Sequence, residues 1–196
     1  MKREKSKKSA VKNTAASRVR EVTPRYLENA ALYYLERFAS SAANLRAVLM
    51  RKVVKSAYHH GADPKEGETW VDALIARFVA SGLLDDRAYA EARVASLRRQ
   101  GNSARAIRAK LLQKGVDGEL IEEALKKHGA GEELSAQDEE FEAALRFARR
   151  RRLGSFAPAA TRAVRRDKDM AALARAGFSY DTARRIIDAV PEDPEA

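Results

Sequence analysis

Between Arg98 and Val116 the chain reads RRQGNSARAIRAKLLQKGV, six basic side chains with no acidic one. Guanidinium and ammonium groups at this density can neutralise phosphates or pair with the carboxylates of a protein surface. Ala104, Ile107 and Leu111 supply the apolar stripe of a short helix there, which turns Arg105, Arg108 and Lys110 outward. Arg98, Arg99, Arg105, Arg108, Lys110 and Lys114 are therefore candidate partner-binding residues. A second cluster, RRRR at 149–152, continues a helical pattern that begins near Phe141, and successive arginines on a helix cannot all be buried. Arg149 and Arg150 join the candidate set.

Two helices joined by a tight turn containing Gly101, with cations on the outer side of the second, have the outline of a helix-turn-helix. Base discrimination favours Asn, Gln or Arg near the helix start, whereas here Ala104, Ala106 and Ala109 alternate with Arg105, Arg108 and Lys110. That pattern offers charge with little readout. It suits phosphate contact or an acidic protein surface, and a direct DNA-binding role as a transcriptional or architectural factor stays open as the alternative.

Catalytic chemistry has no comparable support. The chain holds no phosphate-binding G-x-x-x-x-G-K-[ST], no H-E-x-x-H, no G-x-S-x-G and no cysteine. The adjacent Asp85 and Asp86 read as helix-capping carboxylates, since neighbours in a helix do not face one another. Of the three histidines, His59 and His60 sit in a polar stretch expected to be exposed, and none has the helical spacing of a metal pair with His128. The expectation is a protein without enzymatic activity, cofactor or metal.

The formal charge is +10, and +7 of it falls between Met1 and Arg20, a segment with eight Lys or Arg against one Glu. Positions 1–22 are expected to form a disordered basic tail able to make weak, non-specific phosphate contacts. No run approaches the roughly 20 apolar residues of a membrane span, and the basic start lacks the apolar core of a signal peptide. With no cysteine to oxidise, the expected location is the cytoplasm.

The elements that must position these cations are helices. Apolar residues at 27, 30, 31, 34, 35 and 38 give a first helix, and Leu45, Val48 and Leu49 a second from about Ser41 to Val53. Residues 54–68, which include SAYHHGADPKEGE, read as a loop, with Thr69 and Asp72 at capping-box spacing opening the third helix and Gly82 closing it. Asp85 or Asp86, Ser103, Asp117 and Ser179 mark further helix starts, and Gly115 a left-handed terminator. Tyr33, Tyr34, Trp70 and Tyr89 are expected in the core or at its edge. In the last third the charge changes sign: residues 129–145 hold six acidic and no basic side chains, whereas 146–175 hold ten basic and two acidic.

An internal period lies beneath this pattern. The interval from Leu45 to Ile107 equals that from Leu49 to Leu111, and it recurs from Leu111 to Leu173, from Gly115 to Gly177 and from Val116 to Phe178. The expected fold is all-α: three tandem three-helix repeats in an elongated, curved row, over 23–82, 83–130 and 131–190, followed by a tail at 191–196. A row with two polar ends is expected to be a monomer.

The stretch FVASGLLDDRAYAEARVASLRRQGNSARAIRAKLLQKGVDGELIEEAL, Phe78–Leu125, closely resembles the RecX family of recombination regulators. It carries the leucine-aspartate-aspartate start, the aromatic-alanine step and the basic helix ending in K-G-V. YYLERFASSAANLRAVLMRKV is similar to the family's first unit and ARAGFSYDTARRII to its third. The resemblance implies three tandem three-helix repeats that bind the RecA recombinase, chiefly as its filament on single-stranded DNA. It further implies inhibition of ATP hydrolysis, strand exchange and co-protease activity, and hence modulation of homologous recombination and the SOS response.

Overall fold

Most helices of the chain begin where a short polar side chain can accept the backbone N–H groups that a first turn leaves free. The computed structural model describes residues 19–129 and 135–189, and these contain helices without a strand. Nine α-helices follow in order among them: α1 (Pro24–Leu35), α2 (Ala42–His60), α3 (Pro64–Ala80), α4 (Asp86–Arg99), α5 (Ala104–Leu112), α6 (Gly118–Gly129), α7 (Ala136–Arg151), α8 (Arg162–Arg175) and α9 (Tyr180–Ile187). Thr23, Ser41, Asp63, Asp85, Ser103, Ser135 and Ser179 cap seven of these by accepting an N–H from the first turn. Ser135 and Asp138 complete a reciprocal capping box, which holds the Asp138 carboxyl below its usual range through the Ser135 side-chain and backbone donors.

Three separate apolar cores organise the helices in threes. Leu27 and Ala31 of α1, Leu45, Leu49 and Val53 of α2, and Val71, Leu74 and Phe78 of α3 make the first. Ala90, Val94 and Leu97 of α4 meet Ile107 and Leu111 of α5 and Ile121, Ala124 and Leu125 of α6 in the second. The third joins Ala143, Ala144 and Ala148 of α7 to Leu173 of α8 and to Phe178, Ala183 and Ile186. Burying a Leu, Ile or Phe side chain contributes about 1.5–3 kcal/mol, so the alanine-rich third core draws less from burial than the first. The sequence period holds in space: Leu49, Leu111 and Leu173 are each buried in the middle helix of their own unit.

Several expectations are corrected. The loop read at 54–68 is almost entirely helix, with a connection of only 61–63. Gly61 closes α2 in the left-handed conformation, Asp63 caps α3 and Pro64 occupies its first turn, a compact stop-and-start that a tally of Gly, Pro and charge reads as a long loop. Thr69 lies within α3, donating to the Lys65 carbonyl at 3.0 Å, and does not cap it. Val22, assigned to the basic tail, is buried in the first core, and its N–H donates to Ser56 Oγ at 3.0 Å. The remainder of that tail, positions 1–18, and the tail at 191–196 lie outside the described residues. Tyr89 is buried and Tyr34 and Trp70 pack against the first core, but Tyr33 is exposed with the Arg37 guanidinium over its ring at 3.6 Å. Phe38 falls beyond the end of α1 and is exposed.

Candidate partner-docking surface

The basic stretch 98–116 lies on the unit that touches both of its neighbours. At the junction of units 1 and 2, Ser41 Oγ donates to the Lys114 carbonyl at the end of α5, and the Ala42 N–H donates to Asp86 Oδ1 at 2.8 Å. At the junction of units 2 and 3 the same arrangement recurs one period later. Ser103 Oγ donates to the Ala176 carbonyl at the end of α8 at 2.6 Å, and the Ala104 N–H donates to Glu140 Oε2 at 3.1 Å. Each serine also accepts an N–H of its own helix, from Asn44 and Ala106 respectively, so one hydroxyl both caps a helix and joins two units.

Glycine makes the close approach possible. Gly115 (φ 69°) and Gly177 (φ 93°) follow the accepting carbonyls. A Cβ on Gly115 would lie 2.5 Å from Ala43 Cβ, and one on Gly177 2.6 Å from Ser103 Oγ. Ala43 and Ser103 belong to the first turn of the neighbouring middle helix or its cap, so both glycines serve the same contact.

The eight candidate cations fall into two groups. Arg98, expected to face a partner, is turned inward with 8% of its side chain exposed. Its Nη1 donates to Glu140 Oε2 at 2.6 Å, and Nε lies 4.0 Å from Glu139 Oε2 without a hydrogen-bond partner. The surface assignment of Arg98 is therefore corrected: it ties α4 to α7, because a guanidinium in low dielectric is retained only beside a carboxylate. Arg108 is half-buried in a forked pair with Glu122, Nε to Oε1 at 2.5 Å and Nη2 to Oε2 at 2.8 Å. This pair raises the Arg108 pKa and holds the Glu122 carboxyl below its usual range, so the Arg108 charge is answered within unit 2.

The remaining six are exposed, and none has a carboxylate partner among the described residues. Arg99 ends α4 and Arg105 lies in the first turn of α5 beside Gly177. Lys110 Nζ donates to Asn102 Oδ1 at 2.6 Å, and Lys114 Nζ to Asn44 Oδ1 at 3.2 Å across the first junction. Arg150 Nη1 donates to the Gln100 carbonyl and its guanidinium lies 5.7 Å from the Phe147 ring centre, while Arg149 lies 5.4 Å from that of Phe156. The turn between α4 and α5 thus gathers Arg99, Lys110 and Arg150, and Lys114 continues the charge to unit 1.

Periodicity alone did not single out Glu140, the carboxylate that serves both Arg98 and the Ala104 N–H. The abrupt change from an acidic to a basic run near residue 145 was the available signal. Nor did it single out Arg151, Arg165 and Arg175, which line a crevice of about 450 Å³ beside Phe147 in unit 3. Among the described residues no group of His, Asp or Glu could hold a metal ion, and no helix is long and apolar enough to cross a membrane.

Residues 85–125, which contain α4, α5 and the first two thirds of α6, match the family model described as RecX, second three-helix domain. The chain is 45% identical over 181 residues to the Regulatory protein RecX of Myxococcus xanthus (strain DK1622), covering 92% of this chain and 94% of that one. It belongs to the RecX family. The Regulatory protein RecX of Agrobacterium fabrum (strain C58 / ATCC 33970) is 30% identical over 170 residues, 87% of this chain and 86% of its own. The crystal structure of RecX from Lactobacillus salivarius superposes with a TM-score of 0.57 at 21% identity, over 84% of this chain and 94% of that one, which supports the fold. Membership in the RecX family makes this chain a regulatory protein of recombination, and its three cores divide the described helices into three three-helix units.

Proposed function

We propose that this RecX-family chain is a non-enzymatic modulator of homologous recombination and the SOS response, acting in the cytoplasm as a monomer. It binds the RecA filament on single-stranded DNA and inhibits its ATPase, strand exchange and co-protease activities. The observation that carries this reading is the position of α5, whose two ends meet the two junctions while Lys110 and Lys114 remain exposed beside Arg99, Arg105, Arg149 and Arg150. A row of cations without carboxylate partners along linked units suits a filament that offers both protein carboxylates and DNA phosphates.

Direct DNA reading by α5 gains no comparable support. The N-terminal turn of a recognition helix must enter the major groove. In this chain Ser103 and Ala104 at that end are hydrogen-bonded to Ala176 and Glu140 of unit 3.

The test is ATP hydrolysis by the cognate RecA on single-stranded DNA during titration with this protein, with naked-DNA binding followed at the same salt. Inhibition at concentrations too low to coat the DNA supports filament docking. Inhibition that appears only when the DNA is itself occupied overturns it in favour of direct phosphate binding.

A further inference from the structure

Helix α2 has two apolar faces. Leu45, Leu49 and Val53 are buried in the first core. Away from that core Ala43, Ala47, Met50, Val54 and Tyr58 fall in one line, spaced four, three, four and four positions apart, the spacing of a helix–helix seam, with Met50 at its edge packing in part against the core. At 1.5 Å per residue this line is about 22 Å long. Val54 is 57% exposed and Tyr58 85%, and Ala43 and Ala47 on the same line are exposed as well. Single apolar residues on a surface are ordinary, whereas a continuous stripe ending on an almost fully exposed tyrosine marks a contact surface.

The charges on the rim discriminate between occupants. On one flank Arg46 is held by Asp72 at 2.6 Å and by Glu68 at 2.6 Å, so its charge is already answered. On the other flank Arg51 and Lys55 are exposed, have no carboxylate partner among the described residues and border the same face. An antiparallel second copy would set Arg51 and Lys55 against their own counterparts. The segment from Met1 to Arg20 of this chain, with eight Lys or Arg, carries the same sign.

We propose that the exposed face of α2 docks an amphipathic helix of another protein, whose apolar seam covers Met50, Val54 and Tyr58 and whose acidic residues run along Arg51 and Lys55. Val54 and Tyr58 lie in the C-terminal half of α2, whereas Lys114 of unit 2 meets the first turn of that helix at Asn44, so this face is separate from the Lys114 contact.

Two fluorescein-labelled helical peptides of one length test it, with leucine at the seam positions and either glutamate or lysine along the flanks. Anisotropy with the full-length chain is expected to give binding of the glutamate peptide at least about tenfold tighter than of the lysine peptide. The double variant Val54→Asp, Tyr58→Asp, altered only at exposed positions, should lose the binding, and Arg51→Glu, Lys55→Glu should reverse the preference between the peptides. Failure of the glutamate peptide to bind, or equal binding of both, overturns the proposal. So does sedimentation of the free chain as a dimer that Val54→Asp dissociates, and so does equal loss of anionic phosphatidylglycerol vesicle binding in the Val54 and Tyr58 variant without any peptide binding.

Discussion

Ser103 Oγ donates to the Ala176 carbonyl at 2.6 Å while accepting the Ala106 N–H at 3.1 Å, so the cap of one helix is also the fastening of the next unit. Losing a serine cap alone costs about 1 kcal/mol, and the abandoned Ala176 carbonyl adds a further cost of about 1 kcal/mol. Ser103→Ala is expected to destabilise the chain by about 2 kcal/mol in urea denaturation. Ser179→Ala, which removes a cap that joins no units, should cost about half as much.

Gly115 and Gly82 have nearly the same backbone angle, φ 69° and 72°, in different surroundings. A Cβ on Gly82 meets nothing within 4 Å, whereas one on Gly115 meets Ala43 Cβ at 2.5 Å. Gly82→Ala should cost about 1 kcal/mol from backbone strain alone. Gly115→Ala adds overpacking at the junction, about 1–3 kcal/mol more. Equal losses in thermal or urea unfolding would show that the junction can yield.

Arg98 and Glu140 form the charged half of the second junction, with 8% and 21% of their side chains exposed. Removing one member strands the other, and Arg98→Ala is expected to cost about 3 kcal/mol. Arg98→Met with Glu140→Leu should recover only part of that loss, because the Ala104 N–H loses its acceptor and the Glu139 carboxylate, 4.0 Å from Arg98 Nε, is left behind. A double-mutant cycle measures the coupling.

Charge reversal on α5 should separate function from stability. Arg105→Glu alters an exposed cation without a carboxylate partner among the described residues, so unfolding should shift by less than about 0.5 kcal/mol while inhibition of the RecA ATPase weakens. Arg108→Glu places a second carboxylate beside Glu122 and should lower stability as well. Retained inhibition in a folded Arg105→Glu, Lys110→Glu variant would remove α5 from the docking surface.

Three exposed carboxylates are held below their ordinary pKa by arginines: Asp72 by Arg46, Glu122 by Arg108 and Asp188 by Arg166. Their folded pKa lies below the unfolded value, so the stability they contribute is present above the ordinary carboxylate pKa of about 4 and is lost as pH falls through the folded values. The thermal midpoint should therefore fall on acidification below about pH 4. Glu122→Gln should flatten that decline slightly, since exposed pairs contribute little each.

Capping residues and apolar stripes were legible without coordinates because both act within a few residues of chain. Ser103, Asp85, Ser179 and Gly115 do what their types and positions imply. The stretch 54–68 was misread for a related reason: Gly61, Asp63 and Pro64 are strong breakers, but the short connection 61–63 suffices to end one helix and begin another. Of the candidate cations, their density could be read from the chain but their direction could not, since Arg98 and Arg99 differ by one position on α4 and end in opposite surroundings.

The sequence alone determined the all-helical class, the internal period and the family, since periodicity, caps and the 78–125 stretch are properties of chain order. Tertiary structure decided which charges remain for a partner. Glu140 lies 42 residues from Arg98 and Ala176 lies 73 from Ser103, and pairing over such distances depends on how the units stack. Helical periodicity specifies which side of a helix is apolar; only packing specifies whether an opposing carboxylate, carbonyl or open water meets the other side.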